Sequence, residues 1–327
     1  MFIAQAIKPG NHFGKYLLGL LIIFIASLMG QTPFGIAVFV QSMNEGNGLN
    51  LTAENMMSIL EPNLTLFLLL ISYIATLGAT FFAAKYLHGQ SIVSLTTSRN
   101  KIDWSRVFFA FTVWGLFTVV TTGIAYWAAP EDFVVNFKPV PFLILLIIGT
   151  LLIPIQTSSE EYIFRGYLMQ GLGLVGNRWF PLLLTSVIFG SLHLMNPEVT
   201  KMGYIILIYY IGTGLFLGIL TLMDEGMELA LGFHAANNLF GALLVTSDWT
   251  VFQTHSILKD VSEPSAGVDV LLPVLVIFPI LLFIFSKKYG WSDWAEKLTG
   301  KIDTRIDRLS NTNTTAYGNH DADTNLP

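Results

Sequence analysis

The stretch PFLILLIIGTLLIPIQTSSEEYIFRGYLMQ, residues 141–170, decides the fold of this 327-residue chain. Its first sixteen residues carry no charge, yet two adjacent glutamates and an arginine follow within the next nine. An apolar run of this kind is typical of a helix in lipid, where charged side chains are costly. The charged residues at its edge are therefore the first candidates for a functional site.

The composition of the whole chain also indicates that the lipid bilayer is its solvent. Hydrophobic residues make up 53% of the sequence and charged residues only 12%, whereas a soluble domain carries about 25% charged residues. The net charge of -5 provides no basic surface, so no nucleic-acid partner is expected. The chain has no cysteine, which excludes disulfides, thiolate metal sites and a cysteine nucleophile.

The apolar runs predict an all-α, polytopic membrane fold with about eight transmembrane helices. A hydrocarbon core of roughly 30 Å requires about 20 apolar residues per helix. The eight predicted spans are 16–40, 64–84, 106–128, 141–158, 179–197, 204–223, 228–246 and 268–286.

The basic residues predict the orientation of these spans. Of the seventeen lysines and arginines, only Lys138, Lys201 and Lys259 fall on the side opposite the termini. We therefore expect a multi-pass protein of the cell membrane whose N-terminus and C-terminus are both cytoplasmic.

The segment after the last span, residues 291–309, has an amphipathic pattern. Apolar residues recur there three and four apart, at Trp291, Trp294, Leu298, Ile302, Ile306 and Leu309. Such a stripe is typical of a helix in the membrane interface. A short solvated helix is the alternative, because Gly300 interrupts the stripe. Residues 310–327 are polar and predict a disordered tail.

The ionisable residues within the spans are few, and they collect in the second half of the chain. Glu160, Glu161 and Arg165 lie at the end of span four, His193 lies in span five and His234 lies in span seven. A charged residue at the centre of a membrane helix costs on the order of 2.5–3.5 kcal/mol. Such residues usually face a bundle interior or a wet cavity, which makes them functional candidates.

The spacing in span four predicts an ion pair. Glu161 and Arg165 are i,i+4 neighbours in the favoured order, and Glu160 points about 100° away from that pair. The alternative is a solvated helix end where Arg165 snorkels to the interface. Phe189, four residues before His193, predicts a ring beside the imidazole; alternatively, His193 only donates one interhelical hydrogen bond.

The seventh span predicts a second polar pair. His234 and Asn238 are i,i+4 neighbours and project together from their helix. Alternatively, these polar side chains only form hydrogen bonds that hold neighbouring helices together, with Gly232 and Gly241 allowing close approach. A single shared cavity would explain the polar groups of all three spans at once.

Three motifs carry a family resemblance. EEYIFR has the form Glu-Glu-x-x-x-Arg, FGSLH the form Phe-x-x-x-His and HAANN the form His-x-x-x-Asn. In this order, on successive helices, they resemble the CAAX protease and bacteriocin-processing (CPBP, or Abi) family of intramembrane endopeptidases. The resemblance covers residues 141–246 and does not extend to the other spans or the tail.

The resemblance implies an all-helical core with an intramembrane active-site cavity. It implies hydrolysis of a peptide bond in a membrane-embedded or lipid-modified, CAAX-like peptide. Glu160 would activate water with the help of His193, while His234 and Asn238 would stabilise the oxyanion.

The same resemblance gives supporting roles to Glu161 and Arg165, which would hold the site together. Alternatively, Arg165 would contact a carboxylate of the substrate. Phe189 belongs to the second motif and is expected beside the site.

No metal cofactor is favoured, although the family also has members described as metalloproteases. If zinc is bound, Glu160, His193 and His234 would supply a His₂Glu set with water in the fourth position. Against zinc, no HExxH motif pairs two ligands on one helix, and Asn238 is a poor zinc ligand. Glutamate chemistry without a metal is therefore preferred.

Four regions are expected along the chain. Residues 1–140 form N-terminal membrane helices and loops, and 141–246 form the catalytic core. Residues 247–290 provide an outer loop and the last span, and 291–327 provide the interfacial helix and polar tail.

Two other functions compete with proteolysis. One is a non-catalytic immunity or peptide-sequestering protein on the same scaffold. The other is a transporter with a proton relay, which would be expected to show internal repeats that this sequence lacks.

Overall fold

Helices make up most of the chain that the structure describes. The computed structural model describes residues 1–46, 48, 52–264 and 267–302. The α-helices are α1 (Phe13–Asn44), α2 (Ala53–Ser58), α3 (Pro62–His88), α4 (Ile92–Thr96), α5 (Trp104–Ala128), α6 (Pro139–Glu161), α7 (Met169–Leu172), α8 (Trp179–Ser191), α9 (Pro197–Met202), α10 (Ile206–Asp224), α11 (Glu228–Leu244), α12 (Val268–Leu272), α13 (Phe278–Tyr289) and α14 (Trp294–Thr299). Ile3–Ala6 and Pro130–Asp132 are 3-10 helices, and Tyr162–Leu168 and Pro273–Ile277 are π-helical.

The predicted all-α membrane fold is confirmed. Each of the eight predicted spans falls on a helix. The described residues contain six helices that are long and apolar enough to cross a membrane: Phe13–Asn44, Pro62–His88, Trp104–Ala128, Pro139–Leu172, Ile206–Asp224 and Val270–Tyr289. The remaining two, α8 with 13 residues and α11 with 17, are shorter. The protein is therefore a multi-pass membrane protein in which the helices of the fifth and seventh predicted spans, α8 and α11, are short.

The helix of the fourth span continues beyond the predicted bounds of that span, 141–158. The π-helical segment Tyr162–Leu168 continues α6 directly into α7, so one apolar helix runs over Pro139–Leu172. Glu160 therefore lies roughly 18 Å before the end of this helix at the helical rise. The helix continues past Glu160 because apolar residues lie on both sides of Arg165.

The two ends of the bundle are closed by different structures. At one end, called the sheet end, strands β1 (Phe133–Val135), β2 (Val245–Thr246) and β3 (Leu258–Asp260) form a small sheet. β3 lies in the centre, antiparallel to β1 and parallel to β2. Lys138 and Lys259 belong to this end.

The other end, called the terminal end, carries residues 1–12 and 290–302. The Phe2 N–H donates to the Glu225 carboxylate (2.5 Å), and the Lys297 ammonium donates to the Met223 carbonyl (3.0 Å). Both chain segments thereby attach to the turn between α10 and α11. This turn forms the base of the helix that carries His234.

Helix α11 is held in place by close packing and by aromatic rings. A Cβ at Gly232 would overlap the Val107 carbonyl, so this glycine lets α11 approach α5 closely. Gly241 has nothing within 4 Å, so the expected close approach there is wrong. Phe233 packs against Trp114 with ring centroids 4.5 Å apart and against Phe216 at 4.8 Å. These contacts fix the rotation of α11 and thus the direction of His234, the next residue.

The segment after the last span is only partly helical. Helix α14 ends at Thr299, and Leu298 and Ile302 pack against a buried cluster that includes Ile3 and Leu222. Trp294 is exposed. The remaining positions of the predicted stripe, Ile306 and Leu309, and the tail 310–327 lie outside the described residues.

Candidate active site

The adjacent glutamates of α6 have different surroundings. The Glu161 side chain is fully buried, whereas 16% of the Glu160 side chain is exposed. Glu161 Oε1 accepts a hydrogen bond from Arg165 Nη1 at 2.9 Å. The structure thus contains the i,i+4 pair that the spacing predicts, and it leaves Glu160 free of that pair and partly exposed.

Arg165 belongs to the protein interior. Its side chain is fully buried, and Nη2 donates to the Gly214 carbonyl on α10 at 3.1 Å. Its guanidinium carbon lies 4.5 Å from the centre of the Phe189 ring. The snorkelling alternative is therefore wrong, since the extended helix keeps Arg165 away from the interface.

His234 joins α11 to the glutamates of α6. Its Nδ1 lies 2.7 Å from Glu161 Oε1, and its Nε2 lies 3.6 Å from Glu160 Oε2. An ionised carboxylate only accepts hydrogen bonds, so Nδ1 carries the hydrogen and a neutral ring has none on Nε2. A neutral His234 therefore cannot donate from Nε2. The expected oxyanion role therefore requires the doubly protonated ring. Such a ring would face one carboxylate at each nitrogen, Glu161 at Nδ1 and Glu160 at Nε2.

His193 lies in a turn rather than on a helix. Helix α8 ends at Ser191, so the expectation that His193 lies on the helix of span five is wrong. Its Nδ1 lies 2.8 Å from the Phe189 carbonyl, which can only accept, so a neutral ring leaves Nε2 as an acceptor. The imidazole stacks on Tyr210, with centroids 4.2 Å apart, and lies 4.9 Å from the Phe189 ring. Glu160 is within electrostatic range of His193.

Asn238 reaches the same site through a glutamine. Its Nδ2 donates to Gln156 Oε1 at 3.0 Å, and Gln156 Nε2 donates to Glu160 Oε1 at 2.6 Å. The structure thus brings together Glu160, His234 and Asn238, with His193 close enough to interact electrostatically. The polar groups of the three motifs form one cluster.

The sequence interpretation missed three residues of this cluster. Gln156 lies four residues before Glu160 on the same helix, so the spacing could have revealed it. Tyr73 on α3 interacts with the Glu160 carboxylate, and Tyr210 on α10 stacks on His193. Neither tyrosine belongs to a motif. Both contacts depend on long-range packing that the local sequence does not encode.

The loop that follows His193 contains a half-buried acid. Glu198 on α9 accepts a hydrogen bond from the Val251 N–H at 3.0 Å. Burial raises its pKa above the ordinary value, and the hydrogen bond from Val251 opposes this only in part. Asn196 of the same loop hydrogen-bonds to the side chain of Tyr210. This loop therefore contacts the ring on which His193 stacks.

The fit of the site to a metal ion is mixed. Both imidazoles use Nδ1 for a partner and leave Nε2 available, which is the usual arrangement of metal-bound histidines. Within the described part of the chain, however, no three or more His, Cys, Asp or Glu side chains are placed to hold a metal. The residues expected as zinc ligands, Glu160, His193 and His234, do not form such a set in this arrangement.

Comparisons with known proteins agree with the motifs. The uncharacterized protein YyaK of Bacillus subtilis (strain 168) is 28% identical over 252 residues, which cover 76% of this chain and 83% of that protein. No solved structure matches the chain. Residues 139–240 match the family profile described as "Type II CAAX prenyl endopeptidase Rce1-like", which confirms the resemblance that the three motifs indicated.

Proposed function

We propose that this protein is a glutamate-type intramembrane endopeptidase that cuts a membrane-embedded or lipid-modified, CAAX-like peptide near its C-terminus. The observation that carries the proposal is the meeting of Glu160, His234 and Asn238 within a multi-pass membrane protein. The match of residues 139–240 to a CAAX prenyl endopeptidase family supports the substrate class.

In the proposed reaction, Glu160 acts as the general base. Its carboxylate takes a proton from water, and the resulting hydroxide attacks the carbonyl carbon of the scissile bond. His193 accepts the second hydrogen of the water at Nε2, which orients the attacking oxygen. The proton held by Glu160 then passes to the nitrogen of the leaving peptide as the carbon–nitrogen bond breaks.

Asn238 and His234 stabilise the tetrahedral oxyanion. Asn238 Nδ2 has two hydrogens, and only one is used for Gln156, so the second is available to the oxyanion. His234 donates from Nε2 once it is doubly protonated. Donors fixed in a site of low polarity are effective because no reorganisation is needed during the reaction.

Arg165 and Glu161 are assigned to holding the site together. Arg165 is fully buried between Glu161, Gly214 and Phe189, so a substrate carboxylate could not reach it without opening the bundle. Glu161 in turn fixes the ring of His234. This favours the structural role of Arg165 over contact with substrate.

The first test compares the parent with Glu160→Gln on a fluorogenic CAAX peptide, with and without a farnesyl group, in liposomes. We expect Glu160→Gln to lower turnover about 10³-fold, the usual scale for loss of an acid–base group. Glu131→Gln, an exposed glutamate at the sheet end, is the matched control and should keep full activity.

The outcomes of this test separate the alternatives. Turnover by Glu160→Gln at the parent rate would refute the proposal. Binding of the peptide by the parent without cleavage would instead support the sequestering protein. Loss of parent activity on adding a chelator, with recovery on adding zinc, would replace glutamate chemistry with metal chemistry at this site.

We also propose that the membrane is the cell membrane and that both termini are cytoplasmic, as the distribution of lysines and arginines predicts. The absence of cysteine makes labelling unambiguous. A thiol reagent that cannot cross the membrane should label Lys138→Cys in intact cells. It should label Lys101→Cys only after permeabilisation, and the reverse pattern would invert the proposed topology.

A further inference from the structure

Gln156 forms hydrogen bonds with two residues of the proposed reaction, the general base Glu160 and the oxyanion donor Asn238. It lies one turn before Glu160 on α6, and only 4% of it is exposed. Its Nε2 donates to Glu160 Oε1 at 2.6 Å, while its Oε1 accepts from Asn238 Nδ2 at 3.0 Å. One side chain therefore links the proposed base on α6 to the proposed oxyanion donor on α11.

The link is the last part of a longer chain of hydrogen bonds. Asn238 Oδ1 accepts from Asn237 Nδ2 at 3.1 Å, and Asn237 Oδ1 accepts from Trp114 Nε1 at 3.1 Å. Four hydrogen bonds thus run in one direction, from α5 through α11 to α6. We call this the amide chain, and its members are Trp114, Asn237, Asn238, Gln156 and Glu160.

The direction of the amide chain is fixed independently at both of its ends. The indole N–H of Trp114 can only donate, and an ionised Glu160 can only accept. Every amide between them must therefore accept on the side of Trp114 and donate on the side of Glu160. Hydrogen bonds aligned in this way strengthen one another. A side chain at position 156 must both accept and donate, which a hydrophobic residue or an ionised carboxylate cannot do.

The position of Gln156 in this chain has two consequences for the site. The planar amide of Asn238 is held at both its oxygen and one of its N–H groups, so its remaining N–H has one direction. Gln156 holds Glu160 at Oε1, Tyr73 also contacts this carboxylate, and Oε2 faces Nε2 of His234 at 3.6 Å. A misplacement of reacting groups by about 1 Å can cost on the order of 100-fold in rate.

We infer that Gln156 is a positioning residue that sets the orientation of Glu160 and Asn238 together. The inference rests on the proposed function, because it concerns the efficiency of that same reaction. Gln156 acts through its two neighbours and takes no part in bond making. Substrate binding should therefore depend on it much less than the chemical step.

The test replaces Gln156 by methionine, which has a similar length but can neither donate nor accept in this way. Gln156→Met should lower kcat roughly 10- to 100-fold and change KM by less than about threefold. Gln41→Met is the matched control, because Gln41 Nε2 donates to Glu45 Oε1 at 2.8 Å with the same i,i+4 spacing on α1. Its kcat should equal that of the parent.

A second arm places Gln156→Met in an Asn238→Ala background and measures single-turnover rates. Residues that act through one another show effects that are not additive. We expect Gln156→Met to cost at least about threefold less in this background than in the parent. Equal costs in both backgrounds, or a kcat of Gln156→Met within about twofold of the parent, would overturn the inference.

One further variant, together with Glu160→Gln, separates the possible failures. If Gln156→Met does not fold, Trp114→Phe breaks the amide chain at its far end and should lower kcat about two- to fivefold at unchanged KM. An unchanged kcat for that variant would then overturn the inference. If Glu160→Gln stays active, the proposed function itself fails. If Glu160→Gln is inactive while Gln156→Met is like the parent, only the role of Gln156 fails.

Discussion

Two clusters of charged side chains, one in the middle of the bundle and one at its terminal end, both pair carboxylates with basic groups but differ in their hydrogen bonding. The central cluster consists of Glu160, Glu161, Arg165 and His234. Glu161 and Arg165 are fully buried, yet Glu161 Oε2 and Arg165 Nε have no hydrogen-bond partner. Glu160 and the Nε2 of His234 are 3.6 Å apart, a distance that leaves both with unused capacity.

The terminal cluster consists of Arg99, Arg106, Asp224 and Glu228. Asp224 accepts hydrogen bonds from both arginines and from Trp291, and Arg99 also donates to Glu228 at 3.1 Å. The arginine side chains are 26% and 18% exposed, so water completes their solvation. This cluster attaches the α4–α5 loop and residue 291 to the turn between α10 and α11.

The difference between the clusters indicates their roles. Buried polar groups are nearly always paired, and unpaired ones call for an explanation. The terminal cluster is paired, as expected of side chains that hold neighbouring segments together. The central cluster is incompletely paired even at its fully buried Glu161 and Arg165, which suits a site that must still accept water and a peptide carbonyl. The number of ion pairs alone would not distinguish the structural cluster from the candidate active site.

The largest expected effect on stability comes from removing Arg165. Arg165→Met leaves Glu161 as a buried charge with only His234 beside it, which should cost about 3–5 kcal/mol in the free energy of unfolding. Chemical unfolding in mixed micelles measures the change. The double variant Arg165→Met with Glu161→Gln removes the stranded charge and should recover part of the loss. Additive losses would contradict the assignment of a coupled buried pair.

A smaller effect is expected from Arg106 in the terminal cluster. Arg106→Met leaves Asp224 paired with Arg99 and Trp291, so the cost should be about 1–2 kcal/mol. Because Arg106 is partly exposed, this cost should fall at high salt. Turnover per folded molecule should stay within about threefold of the parent, since Arg106 only fastens the α10–α11 turn. If Arg106→Met lost as much activity as Glu160→Gln, the assignment of a purely structural role to the terminal cluster would be wrong.

The smallest effect is expected from Asp103, which begins α5 beside the terminal cluster. The Ser105 hydroxyl, followed by the Ser105 N–H and Arg106, lowers the pKa of this carboxyl below its ordinary value of 3.8, although partial burial opposes the shift. Its contribution to stability is therefore complete above pH 3.8 and is lost as the pH falls through the lower, folded-state pKa. Asp103→Ala should cost about 1 kcal/mol at neutral pH.

The pH dependence of thermal unfolding checks this assignment. The difference between the parent and Asp103→Ala should stay constant near neutral pH and shrink at acidic pH. A difference that grows as the pH falls would contradict the lowered pKa of Asp103.

Much of the fold and part of the site could be predicted because both depend on local periodicity. The helical positions follow from apolar runs, and the Glu161–Arg165 pair follows from i,i+4 spacing. The placement of the Phe189 ring beside His193 follows from the same spacing. These features need no knowledge of any other helix.

The predictions that were wrong depend on how far a helix continues and on what it packs against. The predicted fourth span stops at residue 158, but buried neighbours compensate Arg165 and the apolar helix continues to Leu172. His193 was placed within a helix that ends two residues earlier. The contacts of Tyr73 and Tyr210 come from distant parts of the chain and leave no local signal.

The sequence by itself determined that this chain is an all-α membrane protein, because apolar composition and segment length follow directly from the thickness of the bilayer. It also determined which polar residues lie within the spans. Only the tertiary structure decided that Arg165 is buried, that Glu161 fixes the tautomer of a neutral His234, and that Gln156 joins Glu160 to Asn238. The reason is physical: each depends on hydrogen bonds between or along helices whose depth and rotation are set by packing.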